Sequence, residues 1–172
     1  IYTIAPFMWG HVCVNVQMML DHGINGMIAM LKQRLQDETL SERQRDFLNT
    51  AILEWQAALR YEMRHRDYYR TLAEKESDVQ QKSKYEEMAA RIERVPANPA
   101  TNFIDALQSI SFMYLCLHAE DVGGHTLGRI DQILYPYYKK DIDEGVITKE
   151  EAEEYFFDWW LKFNLSHIIL ET

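Results

Sequence analysis

Two groups of polar side chains sit in apolar sequence where they could do chemistry. The first is His11, which follows Gly10 at the end of the apolar and aromatic stretch from Ile1. A neutral imidazole both donates and accepts a hydrogen bond, so in such surroundings it needs a partner, either a bound polar molecule or the backbone. The second is the run Glu120, Asp121, Gly123, Gly124, His125 and Thr126. Here polar groups on glycine-rich backbone follow a segment that is apolar on nearly every face, an arrangement that builds pockets and also builds solvated turns. Directly beyond it, Arg129 and Asp131 can pair, because a guanidinium clamps a carboxylate through two bonds and would fix the loop end. Substrate contact is the alternative for Arg129.

Two patterns with metal-ligand spacing lack their complements. Glu62 and His65 form a Glu-x-x-His, but a di-iron bundle needs a second such pair and further carboxylate-bearing helices. His118 and Glu120 form the His-x-Glu of zinc deaminases without the downstream Pro-Cys-x-x-Cys. No metal site is expected.

These groups need elements to position them. Val16, Leu20, Ile24, Met27, Ile28, Leu31 and Leu35 fall at helical spacing interrupted by Gly23 and Gly26, which predicts helical pieces over 15–22 and 24–36. Residues 1–10 read as an irregular buried lead-in. Ser41 and Gln44 form a capping box that opens a long helix to about Lys75. Its buried stripe is read as Phe47, Ala51, Trp55, Ala58, Leu59 and Met63, with Glu62 and Arg66 paired on the wet side. Asp78 and Gln81 repeat the box and start a charged helix to about Arg94. Pro96 and Pro99 bar helix before Thr101, the expected N-cap of a buried helix to about His118, in which Phe112 to Leu117 would also suit a strand. Gly128 restarts a short helix that Pro136 closes, and another ends near Gly145. Thr148 and Glu151 make a third box, opening a helix whose rings Tyr155, Phe156, Phe157, Trp159, Trp160 and Phe163 leave no solvent face; it must be surrounded.

Composition bounds the rest. The chain has 172 residues, 47% of them hydrophobic, enough for a real core and against disorder. A net charge of -9 argues against nucleic acid as a partner. Cys13 and Cys116 lie far apart in apolar surroundings, which suits a reducing cytosol better than a disulfide scaffold. No apolar run is long enough for a membrane span and no signal peptide is evident. No linker divides the chain, so residues 1–172 are read without an internal boundary.

The order of these anchors carries a resemblance. Val95 to Gln108 (VPANPATNFIDALQ), a Glu- and glycine-containing loop, and Gly128 to Thr148 (GRIDQILYPYYKKDIDEGVIT) together resemble the N-terminal half of the pyruvate formate-lyase-like domain of glycyl radical enzymes, nearest their dehydratase and lyase branch. The Gly10-His11 pair and the Gly23-Ile24 helix start extend the match. In that family a glycyl radical in a motif like RVxGY passes its unpaired electron to a cysteine in one like GCxE, and the resulting thiyl takes hydrogen from substrate. Cys13 precedes Val14 and Asn15, Cys116 precedes Leu117 and His118, and neither motif occurs here. Both cysteines are therefore expected to pack in the core, and the fragment alone is expected to be inactive.

The resemblance implies an all-α fragment of a ten-stranded α/β barrel, contributing outer helices and one pocket wall. It implies His11, Asp121, His125 and Thr126 as substrate-binding residues, with His125 and Thr126 similar to a His-Ser pair of the family. The implied parent eliminates water or another leaving group from a small polar substrate. It is cytoplasmic, oxygen-sensitive, often dimeric, and activated by a radical S-adenosylmethionine enzyme. Decarboxylation of an arylacetate and acyl transfer to coenzyme A are the alternative chemistries. A non-catalytic helical module that assembles with a partner is the alternative of another class.

Overall fold

The computed structural model describes residues 8–119 and 122–169, with side chains described over 13–119 and 126–163. Six helices and two short strands follow in the order β1 (Met8–Cys13), α1 (Val16–Arg34), α2 (Glu42–Lys75), α3 (Val79–Arg94), α4 (Phe103–Ala119), β2 (Val122–Thr126), α5 (Ile130–Asp143) and α6 (Lys149–Ile169). The chain divides into two compact units, one of residues 18–99 and one of residues 1–17 with 100–172.

In the first unit α1 is broken where the glycine pattern predicts. Gly23 sits at φ 62° and ψ 173°, a conformation open essentially to glycine alone. The restarted helix then donates Ile24 N–H to the Pro96 carbonyl (2.9 Å) and Asn25 N–H to the Ala97 carbonyl (3.0 Å). The Ser41 box forms in full: Gln44 N–H donates to Ser41 Oγ (3.3 Å) and Ser41 N–H to Gln44 Oε1 (2.9 Å). Ser41→Ala should lower stability by about 1 kcal/mol, readable as a shift in the urea midpoint. The Asp78 box is only half made. Gln81 N–H donates to Asp78 Oδ1, but Glu76 Oε1 takes the Asp78 N–H at 3.0 Å and leaves Gln81 no return bond.

Helix α3 pairs with the C-terminal part of α2, with Arg70 bonded to Glu93 at 2.8 Å and Ala73 and Ala89 buried. The expected stripe on α2 holds at Ala51, Trp55, Ala58, Leu59 and Met63, all half-buried, and fails at Phe47 and in the placing of Glu62 on the wet side. Phe47 is 72% exposed, whereas Glu62 is only 2% exposed and Arg66 pairs with Asp67 and Glu93, so the expected Glu62–Arg66 pair does not form. Leu48, Ile52, Trp55, Leu59, Glu62, Arg66, Tyr69 and Ala73 are all buried or half-buried. Their alternating steps of four and three make a heptad seam. Ala51, Ala58 and Met63 flank that seam and are half-buried as well, which leaves Phe47 as the one expected stripe residue in solvent.

In the second unit α4 is the buried centre, enclosing Phe103, Ala106, Leu107, Ile110, Phe112 and Met113. The expected N-cap is corrected by one residue. Asp105 N–H donates to Asn102 Oδ1 (2.8 Å), while the Thr101 hydroxyl turns to Asp105 Oδ2 (2.8 Å). The possible strand at Phe112 to Leu117 is helix throughout. Pro136 lies inside α5 and does not divide it. A proline there removes one backbone donor, a loss the helix absorbs in continuous packing.

The Thr148 box forms, with Thr148 N–H donating to Glu151 Oε2 (2.8 Å) and Glu151 N–H to Thr148 Oγ1 (3.1 Å). Helix α6 then seats Trp159 against α4, its indole donating to the Leu107 carbonyl at 3.0 Å. Phe163 meets Tyr114 edge-on at 4.3 Å. Phe157, Trp160 and Leu161 remain more than half exposed, so this chain's own elements cover only one side of the helix. No described helix is long and apolar enough to cross a membrane.

Candidate functional site

The lead-in expected to be irregular contains β1, and the glycine loop contains β2; the two strands pair in parallel. Their register sets His11 opposite Gly124, Val12 opposite His125 and Cys13 opposite Thr126. The His11 segment and the 122–126 segment, more than a hundred residues apart in sequence, are thus hydrogen-bonded neighbours. Alternation along the strands groups positions 11, 13, 124 and 126 on one face of the ribbon and positions 12 and 125 on the other. Asp121, the fourth expected site residue, lies outside the described residues.

The end of β2 is fixed locally. Thr126 Oγ1 accepts from Gly128 N–H at 3.3 Å, and Gly128 is left-handed at φ 72°. A Cβ at Gly128 would lie 3.8 Å from Cys13 Sγ, ordinary contact distance, so it is the turn and not crowding that favours glycine. Arg129 then holds Asp131 through Nε to Oδ1 (3.0 Å) and Nη2 to Oδ2 (2.7 Å). The hydrogen bond from Arg129 holds the Asp131 carboxyl below its ordinary range, and the same bond raises the guanidinium. Both side chains are well exposed, so this clamp organises the loop and adds little stability.

Cys13 is exposed, which corrects the expectation that both cysteines pack in the core; Cys116 is half-buried. Glu62 is buried and His65 exposed, so this Glu-x-x-His does not present two ligands together. Among the described residues no group of three or more His, Cys, Asp or Glu is arranged to hold a metal ion.

Sequence reasoning missed Asp141. It is 2% exposed and accepts Phe103 N–H at 2.7 Å, so α5 caps the start of α4 with a buried carboxylate. Lys140 adds a bond from Nζ to the Thr101 carbonyl at 3.0 Å. An acid followed four residues later by Gly145 reads locally as an ordinary helix end, and no local signal shows that it serves another helix. A cleft of about 490 Å³ lies beside this junction, lined by Phe103, Leu134, Tyr138, Ala152 and Phe156. Ile130 and Asp131 line it too, so the cleft also reaches the Arg129–Asp131 clamp that follows β2.

Residues 7–169 match the family model described as "Pyruvate formate lyase-like". The chain belongs to this family of glycyl radical enzyme domains. It is 34% identical to the isethionate sulfite-lyase of Bilophila wadsworthia over 91% of its own length, and 32% identical to the (2S)-3-sulfopropanediol dehydratase of Klebsiella oxytoca over 90%. In each case it spans 19% of the relative. A solved structure concerned with 1,2-propanediol dehydration in Roseburia inulinivorans superposes with a TM-score of 0.82 at 31% identity, covering 90% of this chain and 19% of that one.

Proposed function

We propose that this chain forms one wall of the substrate pocket of a glycyl radical lyase or dehydratase, with the β1–β2 ribbon as its working surface. The observation that carries the reading is the parallel register that sets His11 beside the 124–126 segment. A histidine strand paired with a glycine-rich strand offers an imidazole, a threonine hydroxyl and close backbone approach to one small polar substrate. Thr126 is the ribbon-face neighbour of His11 two positions beyond Gly124. Position 125 is on the opposite face of the ribbon and Asp121 is outside the described residues, so the contacts proposed on this face are those of His11 and Thr126. The similarity to enzymes named for isethionate, sulfopropanediol and propanediol chemistry supports a short substrate with a hydroxyl and a second polar group.

The reacting thiyl and the stored glycyl radical belong to parts of the polypeptide other than this chain, and a radical S-adenosylmethionine enzyme in an anaerobic cytoplasm would install the radical. His11 and Thr126 then act on the substrate alone: they bind it, orient its hydroxyl and stabilise the leaving oxygen. In the complete polypeptide, activated anaerobically and assayed with isethionate, sulfopropanediol and 1,2-propanediol, His11→Ala should lower kcat/KM by about 10- to 100-fold, the size of one lost hydrogen bond to a polarised group. The glycyl radical signal by electron paramagnetic resonance should be unchanged. Unchanged kcat/KM on the substrate that is turned over would overturn the pocket assignment.

A further inference from the structure

We propose that the α1–α3 unit is a proton-linked element, held in its closed packing by the acid form of Glu62. Glu62 occupies a seam position of α2 where a heptad pattern calls for an apolar side chain, and it is 2% exposed with neither carboxyl oxygen hydrogen-bonded. Among the described residues of this unit it is the one buried ionisable side chain; the others that are buried, such as Leu20, Ile24, Ile52, Ile92 and Val95, are apolar.

The half-buried ionisable groups of the same helices and their connections are engaged elsewhere or carry no compensating charge at Glu62. Arg66 is held by Asp67, Glu93 and the Met63 sulfur, and Arg45 by the Leu35 and Asp37 carbonyls. Asp37 bonds Thr39 and Arg34, and Glu76 bonds the Ser77 and Asp78 N–H groups. Tyr69 and Tyr85 meet as rings across α2 and α3, and Arg91 completes the set.

An ionised carboxylate in such a site is far costlier than a neutral acid. Burial is accordingly the cause that raises the Glu62 carboxyl from its ordinary 4.5 to about 9. The direction of the linkage follows. Between those values the unfolded chain has released the proton that the packed unit retains, so packing weakens as pH rises. Below the ordinary carboxyl range both states are acid and the penalty is absent; above about 9 both are ionised and the slope ends.

The test is hydrogen exchange of α2 amides in the full chain from pH 5 to 8, corrected for intrinsic rates, comparing wild type with Glu62→Gln and with Glu62→Met. The neutral variants should gain protection relative to wild type as pH rises, the ratio growing by up to tenfold per pH unit. Met fills the seam without a polar group and serves as the variant in which an unbonded amide cannot disturb folding. A protection ratio that stays constant with pH in either folded variant overturns the proposal.

Discussion

Gly23→Ala is expected to destabilise the α1–α3 unit by on the order of 4 kcal/mol, enough to consume a large part of the stability of an ordinary domain. Two costs combine. At φ 62° and ψ 173° a side chain is strained wherever it stands, by about 1–3 kcal/mol. A Cβ there would also lie 2.4 Å from the Asn98 carbonyl carbon, 2.6 Å from its Cα and 2.7 Å from the Ala97 oxygen. Those are backbone atoms, so no rotamer change relieves the overlap; α1 must lift from the 96–98 segment. Lifting it puts at risk the two bonds from Ile24 and Asn25 N–H, each contributing about 1 kcal/mol. Gly145 separates the two costs. It is left-handed at φ 67° with nothing within 4 Å of a Cβ, so Gly145→Ala should cost only the backbone term, roughly 1–2 kcal/mol. Urea unfolding of both variants checks the prediction, and equal midpoints would remove the role given to the Asn98 contact.

Asp141→Ala is expected to cost about 3 kcal/mol in the second unit. The carboxylate is buried and takes Phe103 N–H at 2.7 Å, one of the donors that the first turn of α4 cannot satisfy within its own helix. Truncation strands that donor in a dry site and opens a void, each worth roughly 1–3 kcal/mol. Asp141→Asn keeps an acceptor oxygen at nearly the same volume and should recover more than half of the loss. Tryptophan fluorescence is a convenient readout, since Trp159 donates to the Leu107 carbonyl on the same helix. If Asn and Ala unfold alike, the hydrogen bond is not what holds α5 to α4.

Local chemistry was legible and non-local chemistry was not. The Ser41 and Thr148 boxes close within one turn, so residue type and spacing alone define them. Asp78 failed as a box because Glu76, two residues upstream, competes for the same N–H. On α2 the apolar stripe is legible at Ala51, Trp55, Ala58, Leu59 and Met63, while the burial of Glu62 is not, because a charged residue reads as solvent-facing until the tertiary packing is known. Thr101 gave way to Asn102 for a similar reason, the Thr101 hydroxyl and carbonyl being engaged by Asp105 and by Lys140 of α5.

The candidate site divides along the same line. The sequence determined which residues have suitable chemistry, His11 at one end and the 121–126 run at the other, and where the helices between them start and stop. Only the tertiary structure decided that two stretches without helical periodicity become parallel strands with His11 opposite Gly124. Each strand is too short, and too poor in alternation, to declare itself. A strand's hydrogen-bond partners lie on another segment, so its register is a property of two distant stretches together and is absent from either alone.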